Sequence, residues 1–169
     1  MKMNDTYPDI KVEMPNVEYA MILLQDYAGT VSEETAIHLY MYQNFLQDGK
    51  WDEFAKELEK IAIVEMHHLE LLGKTILKLG LNPIFATVNA ESDNVIHWNS
   101  ENVNYTDEIR EMLHADIKAE VSAIKQYEIH KEMINDKYIK ALLARIIQDE
   151  EGHLKIFNEL YNSLEKNKP

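Results

Sequence analysis

The sequence predicts an all-α four-helix bundle in which one long crossover joins the second and third helices. Three observations carry this. Gly (5) and Pro (4) are scarce among 169 residues, while Leu, Ile, Glu, Lys and Ala abound, a mix that favours long helices. Apolar residues recur every three or four positions along the second and fourth segments. The connections between segments run short, long, short.

The elements follow in order. Residues 1–15 hold two of the prolines and no helical period, and read as an extended arm. Helix A is expected from about Asn16 to Gln47, with Gly49 beyond it. Helix B has Asp52 in its first turn and runs to about Leu79, where Gly80 and then Pro83 stop it. Its apolar stripe is Leu58, Ile61, Ala62, Leu69, Leu72, Ile76 and Leu79. Residues 81–105 show no clear period and are rich in Asn and Ser. Helix C is expected to start after Thr106 as N-cap, with Asp107 and Glu108 in the positive first turn, and to end near Asn135. Helix D then runs to about Leu164, along Leu143, Ile146, Ile147, Phe157, Leu160 and Leu164. Residues 165–169 read as a frayed tail, so the bundle is expected over 16–164. A connection of about 25 residues can run the length of a helix of about 40 Å, which gives a one-crossover bundle.

Composition narrows the chemistry. There is no cysteine, so disulfides, iron–sulfur clusters and thiol catalysis are excluded. A metal would need oxygen and nitrogen ligands. The formal net charge of −13 argues against nucleic acid and anionic membrane as partners. No apolar run approaches the roughly 20 residues of a membrane span. No signal-peptide progression opens the chain, so a cytoplasmic location is expected.

Helix B carries Glu65 and His68, and helix D carries Glu150 and His153. Each pair is three apart, on one helical face, and lies within an apolar stripe. Ionised carboxylates in a core cost several kcal/mol each unless compensated, and a divalent metal accepts carboxylate and imidazole together. The motif alone is weak, since about one Glu-x-x-His is expected by accident at this composition. A third copy, Glu111 with His114, falls on the face of helix C opposite Glu120 and reads as a solvated accident. Helix C offers Glu120 among Leu113, Ile117, Ile124 and Tyr127. Helix A offers Glu33 or Glu34, and apolar periodicity leans to Glu34. Depth supports a common site. Glu33 and Glu65 each lie about 16 residues from the turn near residue 49, and Glu120 and Glu150 about 15 from the turn near 135.

These residues resemble the di-iron and di-manganese carboxylate proteins of the ferritin-like superfamily, in which two helices each give a Glu and two each give a Glu-x-x-His. Bacterioferritins are the closest resemblance. It is carried by Glu65-Met66-His67-His68, by Asp116-Ile117-Lys118-Ala119-Glu120 and above all by Asp149-Glu150-Glu151-Gly152-His153. The opening, Tyr7-Pro8, Pro15 and the run from Tyr27 to Gln43, is similar to manganese catalases. In both families the helix A ligand is a Glu followed seven residues later by a Tyr, which here selects Glu33 and puts Tyr40 beside the site as a catalytic candidate. The resemblance implies two metal ions per chain, Fe or Mn. Glu65 and Glu150 would bridge them, Glu33 and His68 would hold one, and Glu120 and His153 the other.

The implied activity is a ferroxidase or peroxide-scavenging reaction with O2 or hydrogen peroxide, and the alternative is bacterioferritin-type iron storage or metal buffering. Met66 aligns with the methionine that binds haem between bacterioferritin subunits, but packing at a helix or dimer contact is the preferred reading. The chain stops about 16 residues after His153, short of the fifth helix of bacterioferritins. A dimer or other small homo-oligomer is therefore expected rather than a shell. Rubrerythrins carry a cysteine-ligated iron domain and an extra Glu. This chain has no Cys and places Ala123 one turn after Glu120.

Overall fold

The computed structural model describes residues 6–89, 91, 92 and 94–166. The first five residues of the expected arm and the last three of the expected tail lie outside the described residues. Five α-helices and a small hairpin follow in order. They are α1 (Val17–Ala28), α2 (Glu33–Gln47), α3 (Asp52–Leu79), β1 (Ala86–Asn89), β2 (Asn94–His97), a 3-10 turn (Ser100–Asn102), α4 (Ile109–Met133) and α5 (Lys137–Lys166). Helices α1 and α2 together form one arm of a four-helix bundle. α2 packs on α3 and α4 on α5, each pair joined by a short turn. The segment between α3 and α4 is the long crossover. Among the described residues no helix is long and apolar enough to cross a membrane.

The continuous helix A expected from the sequence is corrected here, because it is broken at Gly29–Ser32. Gly29 caps α1, its N–H bonding the Gln25 carbonyl, and any Cβ at Gly29 would sit 2.5 Å from that oxygen. Ser32 then starts α2. Its hydroxyl accepts from the Thr35 amide and donates to the Gly29 carbonyl, so the two helix ends are capped against each other. The break places Glu33 in the first turn of α2.

Helix C also starts later than expected. The N-cap is Glu108 rather than Thr106, its carboxylate accepting from the Glu111 amide at 2.9 Å. Helix α5 runs two residues beyond Leu164. The crossover is not without structure. β1 and β2 pair antiparallel, with Thr87 opposite Ile96 and Val88 opposite Val95. Trp98 follows them and donates from its ring to Thr35 at 2.9 Å. Helix α3 ends as expected, with Gly80 in the left-handed region (φ 103°) and the Leu81 amide returning to the Ile76 carbonyl.

The core is two apolar clusters separated by a polar layer. One holds Leu23, Leu24, Leu72, Ile76, Ile139, Leu143 and Ile146. The other holds Tyr40, Phe54, Leu58, Met112, Leu113, Phe157 and Leu160. Along α3 the change from one cluster to the other falls between Ala62 and Leu71, and along α5 between Ile147 and Phe157. The buried carboxylates and imidazoles lie in that interval.

Candidate metal centre

Glu33, Glu65, Glu120, Glu150, His68 and His153 are all buried, none more than 5 % exposed. They form two groups of ligand-type atoms, each within 4.8 Å of one another. One is Glu33, Glu65, His68 and Glu150, and the other is Glu65, Glu120, Glu150 and His153. Glu65 and Glu150 belong to both. His68 Nδ1 lies 2.9 Å from Glu65 and 3.1 Å from Glu150. His153 Nδ1 lies 3.0 Å from Glu65 and 3.1 Å from Glu150. The arrangement is a near-twofold one, in which the α2–α3 pair and the α4–α5 pair each give one Glu and one Glu-x-x-His.

Glu34 points elsewhere. It is half-buried and pairs with the exposed His38 on the same helix at 3.5 Å. Glu111 and His114 are exposed on the outside of α4. Met66 is exposed on the outer face of α3.

Around the site stand supporting residues, of which sequence reasoning named Tyr40 and missed Tyr127, Asp149 and Tyr7 as site residues. The Tyr40 hydroxyl, from α2, donates to Glu120 on α4, and the Tyr127 hydroxyl, from α4, donates to Glu33 on α2. Tyr127 stands seven residues after Glu120, the spacing that singled out Tyr40 after Glu33, so the signal was present. Asp149 accepts from His68 Nε2 at 3.0 Å and from the Tyr7 hydroxyl at 2.5 Å. Asp149 adjoins Glu150 in sequence, but nothing in periodicity points it at another helix's histidine. Tyr7 lies in a stretch with no period at all.

Electrostatics divides the carboxylates into two kinds. Burial pushes Glu33 and Glu120 well above the usual carboxylate range, and the charges of Glu65 and Glu150 push further. Burial and the charge of Glu150 also oppose ionisation of Glu65, but the two imidazoles outweigh them and hold it low. Glu150 is likewise held low against burial by hydrogen bonds from His153 and His68. Burial alone would lower both imidazoles. The surrounding carboxylates, Glu33 foremost at His68 and Glu65 at His153, instead raise them well above the ordinary value.

The cluster fits a pair of divalent cations. Glu65 Oε1 and Glu150 Oε1 are fully buried, and the polar atoms facing them at 3.0 and 3.1 Å are the Nδ1 atoms of His153 and His68, nitrogens that a metal ion could share with the carboxylates. Four carboxylates would cancel two divalent charges, and the donor set is oxygen and imidazole only. A cavity of about 320 Å³ reaches Glu33, Glu65, Glu120 and Glu150 between α2 and α4. Val31, Ala36, Leu39 and Ala123 give it apolar walls, and the exposed Asn104 and Lys118 lie at its outer edge.

Known proteins share this frame. A Clostridium acetobutylicum protein named Probable manganese catalase is 26 % identical over 177 residues, spanning 92 % of this chain and 75 % of that one. A Brucella melitensis bacterioferritin is 26 % identical over 118 residues, spanning 68 % and 66 %. A manganese catalase from Anabaena superposes over 97 % of this chain and 81 % of its own, with a TM-score of 0.83 at 24 % identity. The Mycobacterium tuberculosis bacterioferritin covers 90 % and 89 %, with a TM-score of 0.73 at 23 % identity. At such identity these structures speak for the ferritin-like fold. The family model for rubrerythrin matches residues 28–161, the stretch from the break before α2 to the last turns of α5. The match holds although the chain has no cysteine and carries Ala123 one turn after Glu120. With all six clustered carboxylate and imidazole residues inside the matched stretch, the chain belongs to the rubrerythrin family.

Proposed function

We propose that this chain binds two iron or manganese ions and is a di-metal carboxylate oxidoreductase acting on hydrogen peroxide or O2. The observation that carries the reading is the sharing of Glu65 and Glu150 between the two groups of buried ligand atoms. The relatives named manganese catalase and bacterioferritin support it. Two redox-active ions, when bound, supply or accept two electrons in one encounter with a small oxidant.

The chain's own residues do the rest. Glu33 and His68 would hold one ion, Glu120 and His153 the other, and Glu65 and Glu150 both. Tyr40 and Tyr127 fix the orientation of Glu120 and Glu33 through their hydroxyls. Burial and neighbouring carboxylates raise both phenols well above their ordinary range, Glu120 at Tyr40 and Glu33 at Tyr127. Both therefore remain proton donors beside the cavity. The apolar walls limit entry to small molecules and keep bulk water off the carboxylates. Exposed Ile63 and Met66 on α3 support a homo-oligomer, with a twofold dimer the proposed form.

The test is peroxide consumption by protein loaded with Mn(II) or Fe(II), against the free ion, with oxygen release followed on an electrode. Faster consumption that Glu65→Ala and His68→Ala abolish, and Glu111→Ala leaves intact, is the expected result. Oxygen release with manganese would mark dismutation. Iron storage or metal buffering is the competing reading, carried by the bacterioferritin match. Uptake of iron far beyond two ions per chain, with no accelerated peroxide loss, would favour it.

A further inference from the structure

The two clustered histidines differ at their far nitrogens. His68 is fully buried, and its Nε2 lies 3.0 Å from Asp149 Oδ2. The same oxygen accepts from the Tyr7 hydroxyl at 2.5 Å, while Asp149 Oδ1 pairs with Arg145 at 2.6 Å. The Arg145 guanidinium lies 4.4 Å from the centre of the Tyr7 ring, and the His67 ring meets Tyr7 edge-on at 4.6 Å. His153 has no comparable support. Among the described residues its hydrogen bonds and ion pairs are all made by Nδ1. Its ring borders a hollow on the outer side of α3 and α5, beside Gly152 and Lys60.

Tyr7 is brought there by the extended arm. The arm is fixed further along by the Glu13 amide donating to Asp136 at 2.6 Å and the Asn16 amide donating to the Leu79 carbonyl at 3.0 Å. Ile10 and Val12 pack against the core between these points and Tyr7.

We propose that Tyr7 is a positioning residue, through which the N-terminal arm latches Asp149 onto His68 and tightens the metal position that His68 serves. The inference rests on the reading that the six buried side chains hold two ions. An Nε2–H donated to Asp149 fixes the tautomer and leaves Nδ1 to face the ion. Tyr7 and Arg145 in turn hold Asp149 still. The His68 position is thus held tighter than the His153 position, whose imidazole has no such brace.

Calorimetric titration of the full metal-free chain with Co(II), with visible absorbance as a second readout, tests this. The wild type should bind in two unequal steps. Tyr7→Phe keeps the ring over Arg145 and removes only the donor. It should weaken the tighter step by about 10-fold, within the range known for such outer partners, and leave the weaker step unchanged, with a small fall in the metal-free melting temperature from the lost hydrogen bond. Asp149→Asn should weaken the same step. Unchanged steps in Tyr7→Phe, an equal loss at both, or two equal steps in the wild type would overturn the inference. No Co(II) bound by the wild type would instead sink the two-metal reading on which it stands.

Discussion

Asp116 sits one turn before Glu120 on α4, fully buried, accepting from Gln43 Nε2 at 2.8 Å. The other halves of that pair, Gln43 Oε1 and Asp116 Oδ2, have no partner. Burial pushes this carboxyl well above its ordinary range. Asp116→Asn keeps a neutral donor and acceptor in place. The metal-free melting temperature of that variant should be equal or higher at neutral pH, and should vary less with pH, in circular-dichroism melts. The choice between Glu33 and Glu34 is also made at this scale. Glu33→Ala should lower metal content from two ions to about one, and Glu34→Ala should keep both, as measured by elemental analysis after gel filtration. Apolar periodicity leaned to Glu34, which instead pairs with His38, because the helix break before these neighbours shifts the phase on which a helical face is counted.

At the scale of elements, the break between α1 and α2 and the β-hairpin were the features hardest to read. Gly29-Thr30-Val31-Ser32 carries a stop and a start signal, but the apolar pattern on either side runs on in near-phase and suggests one helix. The hairpin strands are four residues each, too short for alternation to stand out. By contrast, α3 and its end at Gly80 were legible from the stripe and the glycine, and α5 from its stripe. The pairing of Glu65 with His68 and of Glu150 with His153 was legible because each interrupts an apolar stripe. Tyr7 and Asp149 were not, because they reach their partners across the fold rather than along a helix. Gly29→Ala tests the break. Its Cβ would meet the Gln25 carbonyl at 2.5 Å, and such overpacking costs about 1–3 kcal/mol. For a chain of this size the melting temperature should fall by roughly 2–12 °C, with reduced metal content as Glu33 shifts. An unchanged melt would mean that the break adapts to a side chain.

For the whole molecule, the polar layer makes stability depend on both metal and pH. The sign differs among groups. Glu33 and Glu120 are raised above 4.5 by burial first, so the stability tied to their protonated forms is lost as pH rises past that value. His68 and His153 are raised above 6.5 by the carboxylates around them, so theirs is present below 6.5 and lost as pH rises beyond it. Asp149, held down to about 2 by the His68, Arg145 and Tyr7 contacts in spite of burial, loses its contribution only as pH falls below 3.8. Metal-free protein should therefore melt higher near pH 5 than near pH 8. Divalent metal should raise the melting temperature most at the alkaline end. Loading should also release protons, from Glu33, Glu120, His68 and His153. Calorimetry in buffers of different ionisation enthalpy would count them. A metal-free melt flat from pH 5 to 8, or no proton release, would contradict a buried carboxylate site.

The central claim is that Glu65 and Glu150 are shared by two ions. Anomalous diffraction at the iron and manganese edges from one metal-loaded crystal tests it most directly. Two peaks roughly 3.5–4 Å apart are expected between Glu65 and Glu150, one beside His68 and Glu33 and the other beside His153 and Glu120. A single peak, or peaks lying away from these six side chains, would contradict it.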